Sequence, residues 1–223
     1  MTIRVKLYAA IVVAVMGLAL TAGVGIWALT HLSDRFDAVQ TAADARALAL
    51  DLKFDVTDFN GWQTAYGYDN GRSRPVFLAS VARFRATLAR ARTKLPRAEE
   101  RALLDRVSAA ADDFMRLDRA AWTALQAGRK EEVRQLFLGP EIENFKRAAA
   151  AAQELATLED RYASREEERF HKAHHDALRL LIVAAIVASL LVAILLVTAN
   201  DLARAAEGRL QEAEEGTDPG AGG

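Results

Sequence analysis

The chain has 223 residues, of which 52 % are hydrophobic and 26 % are charged, and 29 basic against 30 acidic residues leave a net charge of −1. The two signs are interspersed and form no basic stripe of the kind that nucleic-acid binding requires, so we expect no nucleic-acid partner. Cysteine is absent, which excludes disulfides, thiol redox chemistry and cysteine-ligated metal sites. The fold must therefore be held together by packing alone.

Two long uncharged runs, residues 7–29 and 180–200, bracket a mostly polar middle segment. Each run is long enough to cross a bilayer, so we predict two transmembrane helices in a cell membrane. The first run also has features of a cleaved signal peptide, namely basic residues at Arg4 and Lys6 and small residues around Ala22. Its length exceeds the hydrophobic region of an ordinary signal peptide, which favours a retained anchor.

The two crossings fix the expected topology. Because they return the chain to its starting side, residues 30–179 face one compartment, while residues 1–6 and 201–223 share the other. The basic residues before the first span indicate that the N-terminus is cytoplasmic and that the central domain is extracytoplasmic. We expect the tail after the second span, which is acidic and then rich in glycine, to be disordered.

The middle segment has few helix breakers, and their spacing predicts four helices. The breakers are Gly67 to Pro75, Pro96, and Gly128 to Pro140. Between them, residues on one face recur at steps of three and four, as expected for helices that pack together. These seams are Leu48, Leu52, Asp55, Phe59, Trp62 and Tyr66; Phe77, Val81, Phe84, Leu88, Ala91 and Leu95; Leu103, Val107, Ala110, Phe114, Leu117, Ala121 and Leu125; and Ile142, Phe145, Ala149, Ala152, Leu155 and Tyr162. We predict an all-α protein in which two transmembrane helices flank an antiparallel up-down-up-down four-helix bundle.

The segment from Asp51 to Asp69 is dense in aromatic, amide and carboxylate side chains. Asp55 falls near the centre of the first seam, where an acid is costly unless it is paired. One interpretation is a binding site for a cationic or amide-bearing small molecule, with aromatic rings for stacking. The site residues on this interpretation are Asp51, Asp55, Trp62, Tyr66 and Tyr68. The alternative is structural pairing, in which arginines such as Arg85, Arg116 or Arg161 neutralise the acids while the rings close one end of the bundle.

All four histidines lie beside the predicted membrane spans. His171 and His175 are one helical turn apart, a spacing that can hold a metal ion, and His31 on the first helix could lie nearby. The alternative is a belt of polar side chains at the membrane interface. We predict no cofactor. The sequence also has no catalytic triad, phosphate-binding loop or convergent pair of acids, so we expect no enzyme.

Two segments resemble the N-terminal half of methyl-accepting chemotaxis proteins. The first is Asp-Phe-Asn-Gly-Trp-Gln-Thr-Ala-Tyr at residues 58–66, and the second is the stretch at residues 125–141 between the third and fourth helices. The resemblance implies a four-helix-bundle sensor domain outside the membrane. Chemoreceptors continue beyond the second span with a HAMP linker and a long signalling hairpin, which residues 201–223 do not resemble. The resemblance therefore implies that any signal passes to another protein.

Together these observations predict a membrane-anchored, chemoreceptor-like sensor without an output domain of its own. It would bind a small molecule or a protein outside the membrane and act in signal transduction or chemotaxis as a homodimer or as a heterodimer with a chemoreceptor or sensor kinase. The alternative is a structural or scaffolding membrane protein, in effect a truncated receptor, that binds no ligand.

Overall fold

The computed structural model describes residues 3–215, which are helical apart from short turns and contain no β-strand. This confirms the all-α prediction. Five α-helices and one π-helical turn follow each other along the chain: α1 Ile3–Tyr68, α2 Arg74–Lys94, α3 Ala98–Gln126, α4 Lys130–Leu136, the π-turn Phe137–Glu141, and α5 Ile142–Glu215. Helix α5 continues past residue 201 because that stretch is rich in the helix formers alanine, glutamate and arginine. The remainder of the predicted disordered tail, residues 216–223, lies outside the described residues.

The described helices divide into two compact units. The apolar unit contains α1 up to Arg35 and α5 from Phe170, and the bundle unit comprises Phe36–Arg169. Helices α1 and α5 each contribute to both units without interruption.

The apolar unit consists of the two long hydrophobic stretches. Within residues 3–215, α1 and α5 are the two helices that are long and apolar enough to span a membrane. Their large side chains, such as Leu18 and Leu196, point outward and are exposed, as a lipid-facing surface requires. Gly17 marks a close approach between the two helices, since a β-carbon there would lie 3.2 Å from Leu191 Cδ1.

The bundle unit has one continuous hydrophobic core, to which α1, α2, α3 and α5 all contribute. Its largest apolar side chains include Phe59 from α1, Phe77 from α2, Phe114 from α3 and Leu155 from α5, all fully buried. Phe59 contacts the rings of Phe84 and Phe114 with centroid distances of 5.2 Å in both cases. Burying aromatic and aliphatic side chains stabilises the fold by about 1.5–3 kcal/mol each.

The seam predicted for α2 is confirmed at every position, whereas the other three seams are partly out of phase. On α1 the buried residue is Gln63, and its neighbour Trp62 faces outward. On α3 Leu104 replaces Leu103 in the core, and on α5 Ala148 replaces Ala149. Where two apolar residues are adjacent in sequence, the pattern does not show which of them is buried. The predicted seam can then be wrong by one position, or about 100° of rotation.

Glycines and a proline set the turns at the ends of α3 and α5. Gly128 follows α3 with φ of 72°, a left-handed conformation that commonly ends a helix. Gly139 has φ and ψ of −106° within the π-turn, where Pro140 also lacks an amide donor. This break separates α4 from α5 and leaves Glu141 buried.

Candidate functional site

The five side chains predicted to bind a ligand all lie on α1, but they occupy different surroundings. Asp55 and Tyr66 are buried in the bundle unit. Trp62 and Tyr68 are 37 % and 87 % exposed, and Asp51 is exposed beside a groove between α1 and α2. The structure therefore does not gather the five into one site.

Asp55 is held by an arginine of the neighbouring helix. Arg83 of α2 donates from Nε to Asp55 at 2.6 Å and from Nη2 to Asp58 at 2.5 Å. These hydrogen bonds raise the pKa of the Arg83 guanidinium. The planar guanidinium of arginine can donate to two carboxylates at once in a fixed geometry, which the compact ammonium group of lysine cannot do as well. The partner is Arg83 and not Arg85, Arg116 or Arg161, because Arg83 is the one that projects from α2 beside this turn of α1.

A second arginine organises one end of the bundle unit, and we call its surroundings the Arg74 cluster: Tyr66, Arg74, Phe77, Asp118 and Trp122. The Tyr66 hydroxyl donates to Asp118, and Arg74 donates to the same carboxylate at 2.6 Å. The Arg74 guanidinium lies 4.7, 4.8 and 5.0 Å from the ring centroids of Tyr66, Phe77 and Trp122. This is an aromatic cage for a cation, and it is filled by the chain's own arginine.

The turn between α1 and α2 holds this cluster in place. Asp69 accepts hydrogen bonds from the Ser73 amide at 2.9 Å and the Ser73 hydroxyl at 2.5 Å, and both bonds lower the pKa of the Asp69 carboxyl. Gly71 has φ of 92°, and a β-carbon there would lie 2.8 Å from the Trp122 ring. Only glycine combines this conformation with so close an approach. The turn thereby packs against Trp122.

Glu141 lies next to the Arg74 cluster and is almost fully buried. Its Oε2 accepts a hydrogen bond from Gln63, while its Oε1 has no hydrogen-bond partner among the described residues. Burial, and secondarily the charge of Asp118, raise the pKa of Glu141 to about 8, against an ordinary value of 4.5. Glu141 is therefore protonated in the folded protein at neutral pH.

A second pair of buried acids forms the Arg97 cluster, which comprises Arg97, Glu100, Glu159 and Tyr162. Arg97 donates to Glu100 from its backbone amide and from Nη1, both at 2.7 Å. The same Nη1 lies 3.5 Å from Glu159, and the guanidinium stacks on Tyr162 at 3.7 Å from the ring centroid. Burial, followed by hydrogen bonding and charge repulsion from Glu100, raises the pKa of Glu159 to about 7. The single positive charge of Arg97 therefore neutralises only part of the negative charge that the two buried carboxyl groups would carry.

An open groove of about 710 Å³ runs between α1 and α2. Its apolar floor includes Ala45 and Leu48. The polar and charged side chains along it are Thr41, Asp44 and Asp51 on α1 and Arg90, Thr93 and Lys94 on α2. Carboxylates on one wall and cations on the other suit a ligand that carries both charges. Asp51 is the predicted site residue that borders this groove.

The histidines make ring contacts in the apolar unit. His31 stacks on Trp27 with a centroid distance of 5.4 Å, and His174 stacks on Phe170 at 6.3 Å. Across residues 3–215, no three histidine, cysteine, aspartate or glutamate side chains come together in a way that could hold a metal ion. These residues therefore provide no support for a metal site at His31, His171 and His175.

The polar core residues were not singled out from the sequence. Gln63, Asp118 and Glu159 each occupy a position in a helical seam that is otherwise apolar. A signal was nevertheless present, because Gln63 lies seven residues after Val56, and Asp118 lies seven after Ala111 and four after Phe114. With the correct phase, each would have stood out as a polar side chain that must find a partner in the core.

Comparison of the chain with protein-family models, curated proteins and solved structures found no match.

Proposed function

We propose that this chain is a non-enzymatic, membrane-anchored sensor module of the chemoreceptor kind. In this proposal α1 and α5 cross the bilayer, and Phe36–Arg169 forms an antiparallel up-down-up-down four-helix bundle outside the cytoplasm. Binding of a small molecule or a protein to the bundle would modulate a separate receptor or sensor kinase. The basic Arg4 and Lys6 support a cytoplasmic N-terminus.

The observation that carries the proposal is the continuity of two helices. Helix α1 contains an apolar stretch suited to a membrane and, without a break, one wall of the bundle core. Helix α5 does the same. A helix is stiff along its axis, and packed helices shift by about 1–2 Å in signalling proteins. Ligand binding that displaced α5 relative to α1 would therefore move the membrane-spanning stretches of the same helices.

The groove between α1 and α2 is the best place for a ligand, because it is bordered by Asp51, while the two buried candidate residues are already engaged within the chain. Asp55 is bound by Arg83 and the cage around Tyr66 is filled by Arg74. The groove offers Asp44 and Asp51 across from Arg90 and Lys94, which suits a small zwitterion such as an amino acid or an amine-bearing organic acid.

Thermal unfolding of the full-length protein in detergent micelles tests this site. A panel of amino acids, amines, organic acids and divalent metal salts would be screened for a rise in the unfolding temperature. We expect a stabilising compound whose effect is lost in Asp51→Asn and Arg90→Gln. The matched control is Asp112→Asn, an exposed acid on α3. If both groove variants retained the full shift, the ligand site would lie elsewhere.

A structural or scaffolding role is the second candidate, and a specific observation favours it. Asp55 and Tyr66, the most distinctive residues of the sequence motif, are both used in contacts within the chain. Mild crosslinking in the native membrane, purification of the tagged protein and mass spectrometry separate the two roles. Recovery of a chemoreceptor or sensor kinase would support the sensor. Recovery of the chain alone, together with no stabilising ligand, would support the scaffold.

A further inference from the structure

Basic and imidazole side chains share one face of α5 directly before its apolar stretch. We call this the cationic face and define it as His171, Lys172, His175 and Arg179. All four side chains are exposed. At 100° per residue they fall within an arc of about 100°, on the opposite side of the helix from Ala177, which is buried. The cationic face is therefore open to whatever surrounds the apolar unit.

The rest of the apolar unit leaves the charge of this face largely uncompensated. Within residues 3–215, Lys172 has no ion pair. Arg179 lies 3.9 Å from Asp176, and the two side chains are 81 % and 54 % exposed, so this pair contributes little. Next to the apolar stretch of α1 the charged residues are Asp34 and Arg35, whose charges cancel. The cations of α5 are thus free to bind an anion from outside the chain.

The cationic face lies at the level where the headgroups of a bilayer would begin. The apolar stretch starts at Leu180, which lines a small groove together with Trp27 of α1, and tryptophan favours the headgroup level. At a rise of 1.5 Å per residue, His175 lies about 8 Å and Lys172 about 12 Å from Leu180 along the helix. Headgroups occupy about 5–8 Å on each side of the hydrocarbon core, and a lysine side chain can extend toward them.

Phosphate groups match the chemistry of this face. The guanidinium of Arg179 can donate two parallel hydrogen bonds to one phosphate, Lys172 adds a second positive charge, and the His175 ring adds an N–H donor. The proposed function places this end of α5 outside the cytoplasm, where the positive-inside rule does not account for basic residues. A bound anion does account for them. A phospholipid with net negative charge fits better than phosphatidylcholine, whose own cation offsets its phosphate.

From these observations we propose that the cationic face binds the phosphate headgroups of anionic phospholipids in the adjoining leaflet. The contact fixes the depth at which α5 enters the bilayer. The proposal rests on the part of the proposed function in which α5 crosses the membrane. It does not depend on a ligand in the groove between α1 and α2, and it applies equally to a sensor and to a scaffold.

Quenching by brominated lipids tests the contact, because bromine quenches a fluorophore only when the lipid touches it. The natural chain contains no cysteine, so Val183→Cys provides a single attachment point for a fluorophore. Val183 is exposed and lies on the same side of α5 as Lys172 and Arg179, one turn inside the apolar stretch. The matched control is Ile26→Cys, an exposed position one turn inside the apolar stretch of α1. Each full-length labelled protein would be placed in phosphatidylcholine vesicles and titrated with brominated phosphatidylglycerol or brominated phosphatidylcholine.

At position 183 we expect brominated phosphatidylglycerol to quench at a roughly twentyfold lower concentration than brominated phosphatidylcholine, since each of two basic side chains favours an anionic lipid about fivefold. The ratio should be about one at position 26 and in the double variant Lys172→Gln with Arg179→Gln. Asp176→Asn removes the neighbouring acid and should keep the preference. Equal quenching by the two lipids at position 183, or a preference that survives the double variant, would overturn the proposal.

Two further measurements separate the alternatives. Flotation of the vesicles after an alkaline carbonate wash shows whether the protein is inserted. Release would contradict the crossing by α5, and with it the membrane-anchored function, whereas retention with equal quenching would overturn the lipid contact alone. Inorganic phosphate should reduce the preference no more than sodium chloride of equal ionic strength does. A selective loss in phosphate would show that the face binds a soluble anion and would overturn the assignment to lipid.

Discussion

Glu141 should make the bundle unit less stable as the pH rises. Its carboxyl has a pKa of about 8 in the folded protein and an ordinary value of 4.5 when unfolded. Between these values the folded state holds a proton that the unfolded state has released, so the free energy of unfolding falls by up to about 1.4 kcal/mol per pH unit. From pH 5 to pH 8 the loss is about 3 kcal/mol, and it levels off above pH 8 when the folded acid ionises too.

Glu141→Gln should remove this dependence. The glutamine keeps an oxygen that can accept the hydrogen bond from Gln63 and carries no charge at any pH. The variant should therefore match the natural protein near pH 5 and exceed it at pH 8 by about 3 kcal/mol, or about 1–3 M in the urea midpoint. The assay is urea unfolding of the full-length protein in micelles, followed by helical circular dichroism.

The comparison of Glu141→Gln with the natural protein isolates Glu141, because the other raised acid, Glu159, with a pKa of about 7, is present in both. Glu143→Gln is the matched control, since Glu143 is an exposed acid two residues away. It should leave the pH dependence unchanged. Equal stability of Glu141→Gln and the natural protein at pH 8 would refute the assignment of a buried, protonated carboxyl.

Three further predictions concern the contacts of the core and use the same unfolding assay. Tyr66→Phe removes the hydroxyl that donates to the buried Asp118 and should cost about 1–3 kcal/mol; a change below 0.5 kcal/mol would contradict the Arg74 cluster. Arg83→Gln leaves the buried Asp55 without its cation and should destabilise by about 1–3 kcal/mol, whereas exposed Arg85→Gln should change stability by about 0.5 kcal/mol or less; equal effects would show that Arg83 is not the partner. Gly67→Ala places a β-carbon in steric overlap with Phe137 Cε2 and should destabilise by about 1–3 kcal/mol, so a neutral result would mean that Phe137 packs differently.

The helices were predictable because their signals are redundant. Phe77, Phe84 and Ala91 recur on α2 at seven-residue spacing between clear breakers, and no shift of phase would bury as many apolar groups. On α1, by contrast, Trp62 and Gln63 are adjacent, and hydrophobicity favoured the tryptophan. The structure buries Gln63 because Glu141 supplies a partner for its amide, and that partner lies on a segment distant in sequence.

The candidate site was less predictable for the same reason. The acids of α1 could be recognised, but the choice between a ligand and an internal partner depends on which arginine projects from α2. Arg83 and Arg85 are both exposed beside the correctly predicted seam of α2. Which of them meets Asp55 depends on how α2 is placed against α1, and the pattern of a single helix does not give this. The Arg97 cluster likewise depends on Glu100 and Glu159, which lie on different helices and meet only in the folded bundle unit.

The positions of the buried acids predict how pH should act on the bundle unit. Glu141 directly precedes α5 and Glu159 lies on it, facing Asp118 and Arg74 at one end and Glu100 and Arg97 at the other. Raising the pH from 6 to 9 therefore places new charge on the α5 side of the core, while α1 stays joined to α2 through Arg83. Two ionised carboxylates in the core are unfavourable. The acids that they face, Asp118 and Glu100, both lie on α3, so α5 should move away from α3.

Spin labels on exposed positions of the two helices, Ala109 of α3 and Gln153 of α5, would report this movement as a longer interlabel distance at pH 9 than at pH 6. The double variant Glu141→Gln with Glu159→Gln should show no change, because neither side chain can ionise. Because α5 also packs against α1 in the same core, the displacement would change the position of α5 relative to α1, which is the relation through which the proposed sensor signals. A distance that rose equally in the double variant would assign the movement to other groups, and a distance that stayed constant in the natural protein would show that the core accommodates both charges without moving the helix.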